Sequence, residues 1–272
     1  MKDSGLRVCS LAVALVLLAL TSLAARAQDS TDDFLSDLHR FRVANYMALD
    51  AFYRFSADTD TSTLNEIVSS INDANEAMNT VSASDEKVLS AQQIESMNQE
   101  FDRFKALMRD NINDVRKTGY PELRLVSDMA NQALTMNNMA TELYSTALKN
   151  ARIKTDPRVE AARSAAVKMA QMMTKYSVRS NTAVTQTFQG SATEKTLDEQ
   201  AREFEELLAS VAEGPQEGEL DAVIGDLQAK WSFIRNSYIN YNENNVGFVI
   251  GRYSKSILTG LARTIELLNS NA

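Results

Sequence analysis

One histidine, His39, and one cysteine, Cys9, are all that the 272 residues offer of the two most versatile side chains. A Ser-His-Asp site would have to use His39, which stands beside Arg40. Asp37, two residues away, lies on a different face of a helix. The chain has no Gly-x-Ser-x-Gly, no Ser-x-x-Lys with its companion motifs and no phosphate-cradling glycine loop. A carboxylate-bridged di-metal bundle needs Glu-x-x-His on two helices, hence two histidines, and the residue three before His39 is Ser36. Glu203, Glu205 and Glu206 cluster with no histidine near them in spacing, as on a solvated acidic face. Covalent haem needs Cys-x-x-Cys-His, which the sequence lacks. The residues therefore predict no enzyme, no metal site and no cofactor. The competing reading is a redox bundle that holds haem or copper through His39 and a methionine.

Binding is what remains. Arg42 and Arg54, with Arg109, fall on stripes from which they would meet across one helical bundle, and Arg235 and Arg252 take comparable places further on. Arginines converging between helices suit a small anionic ligand through two-pronged contacts. Asn45 interrupts an apolar stripe, where an amide fixes the register of packing or serves a ligand. Trp231 to Tyr241 is the most distinctive segment, and Trp231, Tyr238, Tyr241 and Asn244 form a candidate partner surface. With 28 basic and 36 acidic side chains and a net charge of -8, the chain has no general affinity for nucleic-acid phosphates.

The elements that must position these residues are helices. Apolar residues recur at alternating steps of three and four, as in Val126, Met129, Ala133, Met136, Ala140, Leu143 and Ala147, which excludes the period of a strand. Eight such stripes follow one another. Pro121, Pro157 and Pro215 fall between stripes, never within one. The halves look duplicated: Phe101, Leu107, Met108 and Arg109 match Leu227, Phe233, Ile234 and Arg235 at a constant offset. Val126 and Ala133 match Ile250 and Ile257, and Thr63-Leu64 matches Thr196-Leu197. The fold expected is all-α: two tandem up-down four-helix bundles, residues 28–155 and 156–272, forming an elongated rod with an almost end-to-end junction at Asp156-Pro157.

Ahead of them, Lys2 and Arg7 precede an apolar run from Leu11 to Leu20 and a small-x-small site at Ala25-Arg26-Ala27. That order predicts a secretory signal peptide, residues 1–27, cleaved after Ala27. An uncleaved anchor is the other reading, since Val8 to Ala25 is uncharged and just long enough to span a bilayer. Cleavage removes Lys2, Arg7, Arg26 and Asp3, taking the net charge from -8 to -10, and removes Cys9 as well. The mature protein is expected in the periplasm or secreted, and not membrane-spanning.

Arg163 to Lys175, reading Arg-Ser-Ala-Ala-Val-Lys-Met-Ala-Gln-Met-Met-Thr-Lys, and Gly251-Arg-Tyr-Ser-Lys-Ser-Ile257 resemble the exported four-helix modules of bacterial sensors. The resemblance is particularly to the N-terminal module of type IV pilus chemotaxis transducers. The resemblance implies recognition of small ligands or protein partners between helices. The chain departs from that family in having no second membrane segment and no cytoplasmic signalling region, so a sensory role is expected to work through an envelope or membrane protein partner.

Overall fold

The computed structural model describes the backbone of residues 4–84, 87–151, 155–180, 195–241 and 246–270, and side chains from residue 31 onward. Among the described residues eight helices follow in order: α1 (Ser4–Asp58), α2 (Thr61–Ala83), α3 (Ala91–Thr118), α4 (Leu123–Asn150), α5 (Pro157–Ser180), α6 (Leu197–Val211), α7 (Glu219–Ile239) and α8 (Gly247–Ser270). Among the described residues there is no strand. The expected signal segment lies outside the residues whose side chains are described. Between residues 31 and 270 no described helix is long and apolar enough to cross a membrane.

Local chemistry sets the helix ends. Asp60 accepts the Ser62 N–H at the start of α2, and Ser90 and Gln93 satisfy each other's backbone N–H groups at the start of α3. Gly119, at φ 84°, closes α3 in the left-handed conformation that costs glycine little. Asp156 accepts the Arg158 N–H at 2.8 Å, with Pro157 in the first turn of α5, where its missing N–H is no loss.

Buried side chains form two clusters. One takes Phe41, Phe52, Phe101, Phe104 and Met136 with their neighbours on α1 to α4. The other takes Met169, Phe204, Trp231, Tyr238 and Ile257 with theirs on α5 to α8. Residues matched by the internal repeat occupy like positions: Val126 and Ile250, and Ala133 and Ile257, are all buried. The Thr63–Thr196 pairing is not equivalent, because Thr196 precedes α6 as its cap whereas Thr63 lies inside α2.

The end-to-end rod is corrected by the structure. After α4 the chain doubles back, so that Tyr144 near the end of α4 meets Glu160 near the start of α5, while Ala133 and Asn137 share a cleft with Lys168 and Gln171. α5 therefore runs antiparallel to α4 and parallel to α1, and the two sets of helices lie side by side along an α1–α5 seam. The reason is the composition of α5. Its expected stripe, including Val159, Ala162, Met169 and Met173, faces the second cluster, but Ala161, Arg163, Ala165, Val167, Ala170, Met172, Thr174 and Val178 are buried too. A helix apolar on most of its circumference must be covered on most of it. Val178 joins the first cluster, and Val43 and Met47 of α1 pack on the second.

Polar contacts hold the seam at successive turns. The Arg163 guanidinium is 1% exposed and donates to Asp32 at 3.0 Å, Ser36 at 2.7 Å, Glu160 at 3.0 Å and Tyr144 at 3.3 Å. Gln171 donates to the Tyr46 hydroxyl, Thr174 to the Tyr46 carbonyl, and Ser177 to Asp50 at 2.6 Å. A fully buried cation is held by its partners, and deleting one member of such a pair costs about 3–5 kcal/mol. Here Asp32 and Glu160 keep 28% and 22% exposure and can be rehydrated. Arg163→Met is accordingly expected to lower stability by about 2–3 kcal/mol in urea unfolding. A loss below about 0.5 kcal/mol, the size of an ordinary surface change, would show that apolar packing alone holds the seam.

Candidate functional site

The seam is flanked by two grooves. One, of about 320 Å³, opens between α1, α4, α5 and α6, and its walls are Tyr46, Leu49, Ala130, Ala133, Leu134, Asn137, Asn138, Lys168, Gln171, Thr174, Lys175, Lys195 and Gln200. Among the described residues three lysines line it and no acid does. Lys168, Gln171 and Lys175 stand at steps of three and four on α5, so they present one polar face into the groove. Just outside, Glu203 of α6 accepts from Lys168 at 2.8 Å and also pairs with Lys195. Burial alone would raise the Glu203 carboxyl, but hydrogen bonds from the two lysines hold it below its usual range. Lys175 donates to the Lys195 carbonyl at 2.9 Å. Asn137 and Gln200 are only 2% and 5% exposed, and neither side-chain oxygen has a hydrogen-bond partner among the described residues.

The other cleft, of about 640 Å³, lies where the C-terminal ends of α1 and α5 meet the N-terminal ends of α2 and α8. Arg54 donates to Asp50 at 3.1 Å and to Glu66, and Lys255 reaches the same Glu66 at 2.6 Å, tying α1, α2 and α8 together. Arg252, Asp58, Asp60 and Phe248 complete a lining of mixed charge.

The residues singled out from the sequence are distributed as follows. Arg54 and Arg252 do share the larger cleft. Arg42 does not join them. It is 9% exposed, with its guanidinium 4.6 Å from the centre of the Tyr144 ring, and desolvation depresses its pKa. Arg109 is on the solvent side of α3, paired with Asp110 at 3.2 Å, so Arg42, Arg54 and Arg109 do not meet. Arg235 makes a two-pronged contact with Glu205 across α6 and α7. Asn45 is fully buried, and neither of its amide atoms has a partner among the described residues.

The expected partner surface is corrected for two of its members. Trp231 and Tyr238 are 4% and 0% exposed, because their helical spacing turns them onto Phe204 and Tyr176 inside the second cluster. Tyr238 shares a hydrogen bond with Ser254 at 2.8 Å. Tyr241 is half-buried beneath Arg179, and Asn244 lies outside the described residues. The exposed aromatics of this region are Phe233, at 63%, and Phe248, at 84%.

His39 is half-buried, and its Nδ1 is enclosed with no hydrogen-bond partner among the described residues. Desolvation, and then the charges of Arg42 and Arg163, push its pKa from 6.5 down to about 3. Two cations beside the ring also oppose a metal ion there. Among the described residues, no group of three or more His, Cys, Asp or Glu side chains is placed to hold a metal. The lysine–amide groove was missed from the sequence, although Lys168, Gln171 and Lys175 make a polar stripe through an otherwise small and apolar helix. No family model, curated protein or solved structure matches this chain.

The His39 environment makes a measurable demand on pH. The folded protein keeps the imidazole neutral, while the unfolded chain takes up a proton below about pH 6.5, so stability is lost as pH falls from 6.5 towards 3. His39→Gln keeps the polarity and removes the titration. Its melting temperature is expected to fall less than the wild type's between pH 7 and pH 4, and parallel curves would refute the neutral, half-buried imidazole.

Proposed function

We propose that this chain is a non-catalytic, helical-bundle binding protein of the cell envelope. It acts as a sensory accessory or adaptor that takes a small anionic ligand and communicates with a protein partner. The observation that carries the reading is the smaller groove, lined by Lys168, Lys175 and Lys195 with no acid among its described wall residues and with Glu203 just outside, in a chain of net charge -8. Local charge opposite to the overall charge selects an anion at that one place. The position between helices that pack on both clusters gives a bound molecule leverage on how the two halves sit.

Export is supported by the basic start, apolar core and Ala25-Arg26-Ala27 of the first 27 residues. Two tandem four-helix units are supported by the two side-chain clusters and by the repeat positions shared between α3 and α7 and between α4 and α8. The adaptor role, on a protein partner, draws its support from exposed Phe233 and Phe248, since aromatic side chains are frequent anchors at interfaces.

Native mass spectrometry of the full chain, purified gently from the exported fraction, tests the reading directly. The expected species begins at Gln28 and carries a stoichiometric added mass below that of a protein. A bare mass that persists across preparations would move the function to an adaptor without a ligand. Separate expression tests the tandem units: residues 28–155 and 156–272 are each expected to give a cooperative helical melt by circular dichroism. Failure of both would mean that neither cluster is self-sufficient without the α1–α5 seam.

A further inference from the structure

At the turn from α3 to α4 the acidic side chains are engaged and the basic ones are not. Asp114 accepts the Glu122 N–H at 2.7 Å, and the Glu122 carboxylate accepts the Arg124 and Leu125 N–H groups at 3.0 and 2.8 Å. Thr118 donates to the Tyr120 carbonyl at 2.6 Å, Gly119 takes the left-handed conformation, and Pro121 is buried. A turn whose backbone is bonded in this way is organised before anything meets it. It holds Tyr120 outward at 68% exposure and Leu123 at 39%. Arg116, Lys117 and Arg124 stand around them, exposed, and among the described residues none of the three has an ion pair or a side-chain hydrogen bond. Tyrosine and arginine are the side chains that most often anchor protein interfaces, together with tryptophan.

The complement is at the other end of the same molecule. Arg158, at the start of α5, donates to the Val211 and Pro215 carbonyls at 3.0 Å each and so holds the turn from α6 to α7. That turn exposes Glu213, Pro215, Glu217 and Asp221, and among the described residues none of the three acids has an ion pair. Gly218 has open space where a side chain would stand, so Pro215 is accessible to an aromatic ring. Helix α2 runs antiparallel to both α1 and α3, and α6 antiparallel to α5, so the two turns point in opposite directions. Separated by roughly the length of α3, about 40 Å for its 28 residues, they cannot meet within one chain. We propose that copies of this chain join head to tail, the α3–α4 turn of one docking on the α6–α7 turn of the next. Tyr120 lies on Pro215, and Arg116, Lys117 and Arg124 face Glu213, Glu217 and Asp221. An anionic lipid surface would suit the same cations, but it repels a chain of net charge -8, whereas the acidic turn is carried by the chain itself. Single exposed ion pairs contribute little, so the contact needs all three and the ring together. Because the two surfaces differ, each joined copy keeps one of each free and the association is open-ended. This self-contact goes beyond the binding function proposed above and does not depend on it.

Sedimentation velocity of the full chain, as purified from cells, over a concentration series tests the contact. The average mass is expected to rise past that of a dimer with concentration. It should fall back when salt is raised from about 0.1 M to about 1 M, where the screening length shrinks from about 10 Å to about 3 Å. One variant neutralises the basic turn through Arg116→Gln, Lys117→Gln and Arg124→Gln. A second neutralises the acidic turn through Glu213→Gln, Glu217→Gln and Asp221→Asn. All six positions are exposed, and unchanged circular dichroism melts would establish that both variants fold. Each variant alone is expected to stay monomeric. Mixed, they should form a dimer and stop there, because each supplies one intact surface. Tyr120→Ser should weaken self-association about tenfold, the loss that truncating an interface anchor gives. A wild-type chain that is monomeric at every concentration would overturn the proposal, as would a dimer that grows no further. So would association that both variants retain, or a mixture that fails to pair. If the wild type stays monomeric but sediments with phosphatidylglycerol vesicles, and the first variant does not, the basic turn serves a lipid surface and the self-contact falls.

Discussion

The guanidinium of Arg163 sits almost without solvent between α1, α4 and α5, and four groups hold it there: Asp32, Ser36, Tyr144 and Glu160. A cation in that position is expensive to desolvate, and the expense is offset only while all three helices keep their places. Arg163 thereby specifies geometry more than it adds stability. It bonds α5 to α1 in the parallel sense and to the end of α4, as the fold-back after α4 requires. The buried second face of α5 and this polar cluster act together in placing the two sets of helices side by side.

Much else follows from the seam. Tyr46 and Asp50 on α1 meet Gln171, Thr174 and Ser177 on α5 with polar contacts, whereas the interiors on either side are apolar. Small side chains on α5, Ala161, Ala162, Ala165, Ala166 and Ala170, let neighbouring helices approach closely. Where α4 and α6 diverge from the seam a groove is left, and where the ends of α2 and α8 diverge a second cleft is left. The grooves are consequences of packing the other helices along one pair, α1 and α5. Their chemistry differs because α5 turns lysines towards one, while the ends of α1, α2 and α8 bring balanced acids and bases to the other.

The same geometry explains the distribution of charge partners. Arg54 and Lys255 share Glu66, Lys168 and Lys195 share Glu203, and Arg235 is neutralised by Glu205. Exposed pairs of this kind contribute about 0–1 kcal/mol each, so their significance is in orientation rather than in stability. Around the smaller groove one carboxylate, Glu203, faces two lysines, and Lys175 donates to the Lys195 carbonyl at 2.9 Å.

Sequence by itself determined the elements. The three-four spacing of Val126 to Ala147, the prolines between stripes and the caps at Asp60, Ser90 and Asp156 are local properties, because a helix is closed by hydrogen bonds between residues four apart. Arg54 and Arg252, which the sequence placed in separate bundles, line one cleft. The sequence did not reveal that Trp231 and Tyr238 face inward together, since an aromatic suits an interface and a core alike, and only the neighbouring helices decide between them. Nor did it reveal that α5 buries a second face, although the alanines and the Lys168–Gln171–Lys175 stripe were in plain view. Whether a polar residue on a helix meets water, a partner or an empty groove depends on what stands opposite, often more than a hundred residues away in the chain. Tertiary structure alone brought Asp32 to Arg163 and Asn137 to the lysines, because those encounters are set by how whole helices pack and not by any spacing within one of them.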